Sequence, residues 1–340
     1  MKNATYLCAL LASAILLCSC EHKELCYNHP EHASKYDAKV SATYALEWEV
    51  PYNNLTDYRH NWPSALGFSY NSLLPEKPEG LRAISYAEGR LPVIVNMPAD
   101  GGIASLPYSE QSLLFLNNDT EYISILNEDS YSDALATTRG RSRANYEGSP
   151  YISRSETTVA PPDMLYGAAI GYFDNVRSAE PKPLPVDMQP LVFTYVIHCP
   201  ITHGAQYAGL VRGALAGMSA GVNLSTGSTS QTPVTILFDG AVEGNAVTAR
   251  VLSFGAPGFP YPDYSRTEGD YAVNIEILLK NGKSVKYDFD ISSLMNKQPR
   301  GGLIMLPGLE ISDEIGSSEG SGFDITIDGW GEEQDVDITM

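Results

Sequence analysis

Gly217-Met218-Ser219-Ala220-Gly221 is the stretch whose spelling comes nearest to chemistry. It fits G-x-S-x-G, where a strained turn between a strand and a helix presents a serine hydroxyl as nucleophile. The surroundings fail the pattern. Residues 222–231 are rich in Ser, Thr and Gly rather than helix formers, and the last histidine, His203, precedes the serine. The elbow requires its histidine later in the chain. Ser219 is therefore read as a small residue of an exposed β loop, and no catalytic residue is assigned. His22, His29 and His32 have the residue type and density of a metal site, but no thiol or carboxylate pattern completes a ligand set. They are read as part of a polar tether. Asp288 and Asp290 share one polar strand face, and Glu332, Glu333, Asp335 and Asp337 lack calcium-loop spacing. Neither a Walker A nor a dinucleotide glycine pattern occurs, so no metal and no cofactor is expected.

The residue with a definite chemical role is Cys20. Lys2, an apolar run over 6–17 and Ser19 before Cys20 make the charged, apolar and small-residue regions of a secretory signal. The run is shorter than the ~20 residues of a membrane span. Leu17, Ser19 and Cys20 at −3, −1 and +1 resemble the lipobox of bacterial lipoproteins, which are cut before the cysteine and acylated on it. Cys18 does not fit, because Leu17 would then sit at −1. Residues 1–19 are read as signal peptide and 20–37 as a lipidated tether, which gives an outer-membrane lipoprotein at the cell surface.

The chain has 340 residues with 41 Asp+Glu against 22 Lys+Arg, a formal charge of −19. That balance argues against nucleic acid and against a polybasic membrane contact. The 29 Gly, 22 Pro and 21 Tyr, without long helix-periodic stretches, suit an all-β fold with many turns. Of five cysteines, Cys8 and Cys18 leave with the signal and Cys20 is acylated. Cys26 and Cys199 remain. A disulfide between them is permissible in an exported protein, as are two isolated buried thiols.

Val40, Ala42, Tyr44, Leu46, Trp48 and Val50 fall on one parity against mostly polar neighbours. This predicts one strand over 39–50, about 40 Å long. Short β-type runs follow at 66–70, 81–86, 91–97, 112–116 and 122–126, separated by Gly, Pro and Asn/Asp turns, the pattern of a β-sandwich. Arg139, Arg141, Arg143 and Arg154 are placed in a surface loop over 129–156. Residues 179–190 are too rich in proline for a central strand and are read as a linker. It divides an N-terminal sandwich domain, 38–178, from a C-terminal one, 191–330, with an acidic tail at 331–340. In the second half, 191–199, 234–238, 248–254, 303–311 and 323–327 read as strands. Tyr271, Val273, Ile275, Ile277 and Leu279 turn at Asn281-Gly282 into Val285, Tyr287, Phe289 and Ile291, a hairpin with a type I′ turn. Tyr52, Tyr58, Trp62, Phe259 and Tyr261 are loop aromatics that a glycan or host protein could stack on, or that pack over the ends of the sandwich.

Several short motifs resemble one family. They are Glu24-Leu25-Cys26-Tyr27 with His29 and His32, Asn117-Asn118-Asp119-Thr120-Glu121, Pro162-Asp163-Met164-Leu165-Tyr166-Gly167, Pro233-Val234-Thr235 after Ala216-Gly217-Met218, and Leu309-Glu310-Ile311 before Trp330. Together they are similar to the DUF5119 lipoproteins of Bacteroidota, related in architecture to fimbrillins and Mfa2-type fimbrial anchors. The resemblance implies two transthyretin-like β-sandwich domains, outer-membrane attachment, fimbrial subunits as partners, and assembly by strand donation. Stalk subunits of this type lose an N-terminal strand to an arginine-specific protease. Here no arginine lies between Cys20 and Arg59, which points to an anchor or accessory subunit that keeps its lipid. Val336, Ile338 and Met340 alternate with polar residues and could form a donor strand, or a frayed terminus. The competing function is a surface lipoprotein that binds a glycan or host protein without polymerising.

Overall fold

The computed structural model describes residues 34–52, 57–144, 146–260 and 270–317, with the backbone of 334–336. The signal, Cys20, Cys26, the three tether histidines, Tyr261 and the run at 323–327 lie outside the described residues. The first half contributes β1 (Lys35–Tyr44), β2 (Gly80–Ala87), β3 (Val93–Pro98), β4 (Gly101–Pro107), β5 (Glu110–Asn117), β6 (Ile123–Leu126), β7 (Leu135–Thr138), β8 (Gly140–Ser142), β9 (Thr157–Val159), β10 (Tyr166–Asp174) and β11 (Lys182–Pro190). The second half adds β12 (Phe193–His203), β13 (Ala208–Ser219), β14 (Gly221–Asn223), β15 (Pro233–Glu243), β16 (Ala246–Ser253), β17 (Ala272–Leu279), β18 (Ser284–Asp290), β19 (Gly302–Met305), β20 (Leu309–Glu310) and the tail strand β21 (Gln334–Val336). The fold is all-β, as the composition and alternation predict. No described helix is long and apolar enough to cross a membrane.

Strands β3-β2-β5-β10-β11-β1-β4 form a seven-stranded sheet. Its buried side chains, among them Val40, Leu81, Leu106, Phe115 and Val186, make one core. The larger sheet follows the order β18-β17-β13-β15-β16-β12-β19, with β20, β9, β8 and β21 attached beside it. A second core of Tyr195, Leu215, Ile236, Val251, Tyr271 and Ile275 lies on one of its faces. Between the two sheets a third cluster joins Ile84 and Leu114 of the first half to Val222, Leu224 and Phe254 of the second. The small sheet β14-β7-β6 likewise pairs residues from both halves.

Several sequence expectations change. The segment read as a linker is β11, paired in parallel with β1 from Ala38↔Lys182 to Tyr44↔Met188. Its pattern alternates strictly: Leu184, Val186 and Met188 are buried, and Pro183 and Pro185 are exposed. Prolines are tolerated there because they fall at alternate positions that owe the neighbouring strand no N–H. The expected strand at 66–70 is instead two 3-10 turns, Ser64–Leu66 and Tyr70–Leu73. The run 303–311 is broken into β19 and β20. The strand predicted over 39–50 ends at Tyr44. Of the residues predicted to face inward, Val40 and Trp48 are buried, Ala42, Tyr44 and Leu46 half-buried, and Val50 exposed.

The hairpin β17–β18 forms with the expected faces, and all five predicted inward residues of its first arm are fully buried. Its turn differs. Gly282 alone takes positive φ (82°), and its N–H donates to Leu279 O. Asn281 stays at negative φ, so the loop is a three-residue turn closed by a glycine bulge and not type I′.

Candidate functional site

The strand that follows the tether is not an edge. β1 lies between β11 and β4, with seven register pairs on each side. Asn175, wholly buried, closes one end of this groove. Its Nδ2 donates within reach of Tyr36 O (3.0 Å), Leu106 O (2.9 Å) and Pro107 O (3.1 Å). Ladder bonds run across the strand direction. Tension applied at the N-terminal end of β1 therefore loads many bonds in shear together rather than peeling them singly.

After Tyr44 the chain leaves the first sheet and docks on the second. Ala45 N–H donates to Met188 O and Glu47 N–H to Ala45 O, a tight turn that ends the strand. Trp48 then enters a cluster of Leu66, Tyr70, Leu73, Val196 and Leu303 and is completely buried. Its ring lies 5.1 Å from Tyr70, 6.1 Å from Trp62 and 6.4 Å from Tyr58. Its carbonyl accepts from Thr194 N–H of β12 at 2.9 Å. A side chain at Gly301 would meet that carbonyl at 2.7 Å, and its φ of 78° also favours glycine. Tyr58 and Trp62 are thus half-buried packing around Trp48, not a stacking platform. Tyr52 stands edge-on to Phe259 with ring centroids 5.6 Å apart.

Beside the clasp, Arg59 pairs with both oxygens of Glu47 (2.8 and 2.9 Å) on the exposed rim. Glu49 is buried, and burial pushes its carboxyl up to about 7, partly offset by a hydrogen bond from Tyr70. The unfolded carboxyl titrates near 4.5. Between those values the folded state binds the extra proton, so Glu49 makes stability fall as pH rises from about 4.5 to 7. Glu49→Gln is expected to raise stability at pH 8 by about 1–3 kcal/mol and to change little near pH 4. Urea titrations at both pH values test this; an equal shift at both would exclude the carboxyl as the cause.

The other flagged residues have structural partners. Ser219 is buried at the end of β13, not in an exposed loop. Its hydroxyl lies 2.8 Å from Gly221 O and 2.9 Å from Ser230 O, so its proton is held by backbone acceptors. Cys199 carries no disulfide among the described residues. Its Sγ sits 3.2 Å from Pro307 O, and burial pushes the thiol up to about 11. The arginine segment is not only a surface loop: β8 and β9 join the second sheet, and buried Arg143 donates to Gly213 O (2.9 Å) and Phe238 O (3.2 Å). Asp288 accepts from Asn274, and Asp290 accepts from Ser292 N–H and Oγ. No cluster of three or more His, Cys, Asp or Glu with metal-site geometry occurs among the described residues. In the tail, β21 pairs antiparallel with β8, Gln334↔Ser142 to Val336↔Gly140. Ile338 and Met340 lie outside the described residues.

Asn175 was not legible in the sequence: it lacks a motif and acquires its place only from the register of the strands around it.

The family described as a domain of unknown function (DUF5119) matches residues 54–239. A Bacteroides ovatus protein provisionally named fimbrium anchoring subunit Fim4B is 26% identical over 258 residues, 75% of this chain and 66% of its own length. Just under two thirds of that relative is therefore spanned. A crystal structure of a provisionally named adhesin from Bacteroides ovatus superposes with a TM-score of 0.56 at 19% identity, covering 83% of this chain and 94% of the other. The fimbrial anchor protein Mfa2 from Porphyromonas gingivalis aligns over 80% of this chain and 91% of its own at 9% identity, with a TM-score of 0.42. The adhesin supports the β architecture alone. Since the DUF5119 match covers more than half of its residues, the chain belongs to the DUF5119 family.

Proposed function

We propose that this protein is a lipid-anchored cell-surface protein of fimbrial type, an anchor or accessory subunit or adhesin working through strand edges and loops. The observation that carries this reading is the similarity to a fimbrium anchoring subunit along three quarters of the chain. The placement of β1 supports it: a tether entering a strand held on both sides transmits force into the sheet in shear. Cys20 would carry the lipid in the outer membrane, and fimbrial subunits would be the partners. The role is structural, not enzymatic. The tail residues Val336, Ile338 and Met340 are the candidate donor strand, and the extended pairing of β21 within the chain is consistent with such a segment.

An immunoblot of unboiled outer-membrane extract tests the reading, run beside a chain lacking 331–340 and a Cys20→Ser chain. A heat-labile ladder in the intact lane, lost on removal of the tail, is the expected result. Cys20→Ser is expected to leave the membrane fraction. A single lipidated band in both the intact and shortened lanes would overturn assembly by strand donation and leave a monomeric anchor or binding lipoprotein.

A further inference from the structure

We infer that the crevice between β10 and β11 binds a compact carboxylate with an apolar body, its charge held by Arg300. The opening is built into the hairpin. β10 and β11 pair only at Tyr166↔Pro190 and Gly167↔Gln189 and then part. The parallel ladder to β1 uses alternate residues of β11. Pro183 and Pro185, which cannot donate, therefore face β10 and leave that edge without N–H donors at those two positions. β10 adds a register shift between Ile170 and Phe173. The two strands cannot zip closed.

The cavity behind this gap has a volume of about 460 Å³, within the roughly 300–1,000 Å³ of small-molecule sites. Leu191, Phe193, Val222, Leu224 and Phe254 give it an apolar wall. Arg300 lines it too. Its guanidinium lies 4.7 Å from the Phe259 ring centroid and 5.8 Å from that of Phe193, and its hydrogen bond is one long contact to Gly227 O, 3.4 Å. No carboxylate lies within ion-pair range of it among the described residues. The buried Arg212, by contrast, has Glu276 at 2.8 Å. Asp187, the acidic side chain on the wall, accepts from Thr43 Oγ1 of β1 at 2.6 Å.

A half-buried cation with unused donors beside an apolar hollow is matched by a carboxylate attached to an apolar group. The net charge of −19 selects further. A polyanion would be repelled by the whole surface, whereas a single carboxylate meets mainly the local field of Arg300. The site is independent of the anchoring role.

The test is a fluorescence titration of the full chain with dansyl-labelled undecanoate, followed by displacement with decanoate and, separately, decanol. Saturable one-to-one binding is expected, with decanoate displacing at least about tenfold better than decanol, as a charge-assisted hydrogen bond requires. Arg300→Gln is expected to abolish that preference while leaving the decanol value unchanged. Equal displacement by acid and alcohol would reduce the crevice to a greasy surface and overturn the inference. So would an acid preference that survives Arg300→Gln, or the absence of saturable binding. The acid–alcohol comparison on the unaltered chain decides the matter even if the variant does not fold.

Discussion

Trp48→Ala is expected to lower the unfolding free energy by about 3–5 kcal/mol, the usual cost of emptying a large aromatic site. Typical domains have only about 5–15 kcal/mol in total. The cost should fall at the high end because the site cannot collapse. Tyr58, Trp62 and Tyr70 surround the ring from the loop side, and Val196 and Leu303 belong to paired strands of the second sheet. The variant also tests coupling. Trp48 sits four residues beyond β1, and its carbonyl is bonded to β12, so it ties the first sheet to the second. Urea unfolding followed by tryptophan fluorescence and by far-ultraviolet circular dichroism should give coincident curves for the unaltered chain and separated curves for the variant. A loss below about 1 kcal/mol, the scale of an ordinary surface change, would show that the clasp is decoration.

That site also marks where sequence reading stops. The alternation from Val40 to Val50 is present in the sequence, but the strand stops at Tyr44, and beyond it the parity fails: Glu49 is buried and Val50 exposed. It cannot reveal that β11 ends at Pro190, that the ladder to it runs out at Tyr44, or that Trp48 fills a different core. Composition misled at β11 for the opposite reason. Proline content argues against a strand only if every N–H must be donated, and here alternate positions face an open gap. The arm from Tyr271 to Leu279 was legible because large apolar residues alternate with Ala272, Asn274 and Glu276, although the structure buries both faces. Ser219 shows the limit of a motif: the five residues match, but β13 carries three of them, and the Ser219 hydroxyl meets buried backbone acceptors.

Glu276→Ala is the second large effect, with an expected loss of about 3–5 kcal/mol, because it removes the carboxylate that faces the buried Arg212 guanidinium. The two side chains face each other across β13 and β17 as register partners, with Nε and Oε2 2.8 Å apart and about nine tenths of each buried. Sodium chloride should alter the loss little, since a buried pair is poorly screened. The double variant Arg212→Met with Glu276→Leu should recover at least half of it, because paired apolar residues carry no desolvation penalty. Failure to recover would mean that the pair is bound to more of the structure than its own ion bridge. Recovery raises the question of why the charges are there, and the strand period supplies an answer. Arg212 and Glu276 lie on the face opposite Val211, Ile275 and Ile277, which form the second core. Slipping β17 by one residue along β13 would drive Glu276 into that core and expose Ile275 and Ile277 to the polar side. The pair therefore contributes little net stability to the correct register but makes the neighbouring registers costly. Hydrogen exchange on the double variant should accordingly show faster opening in β17 even where the global stability has returned.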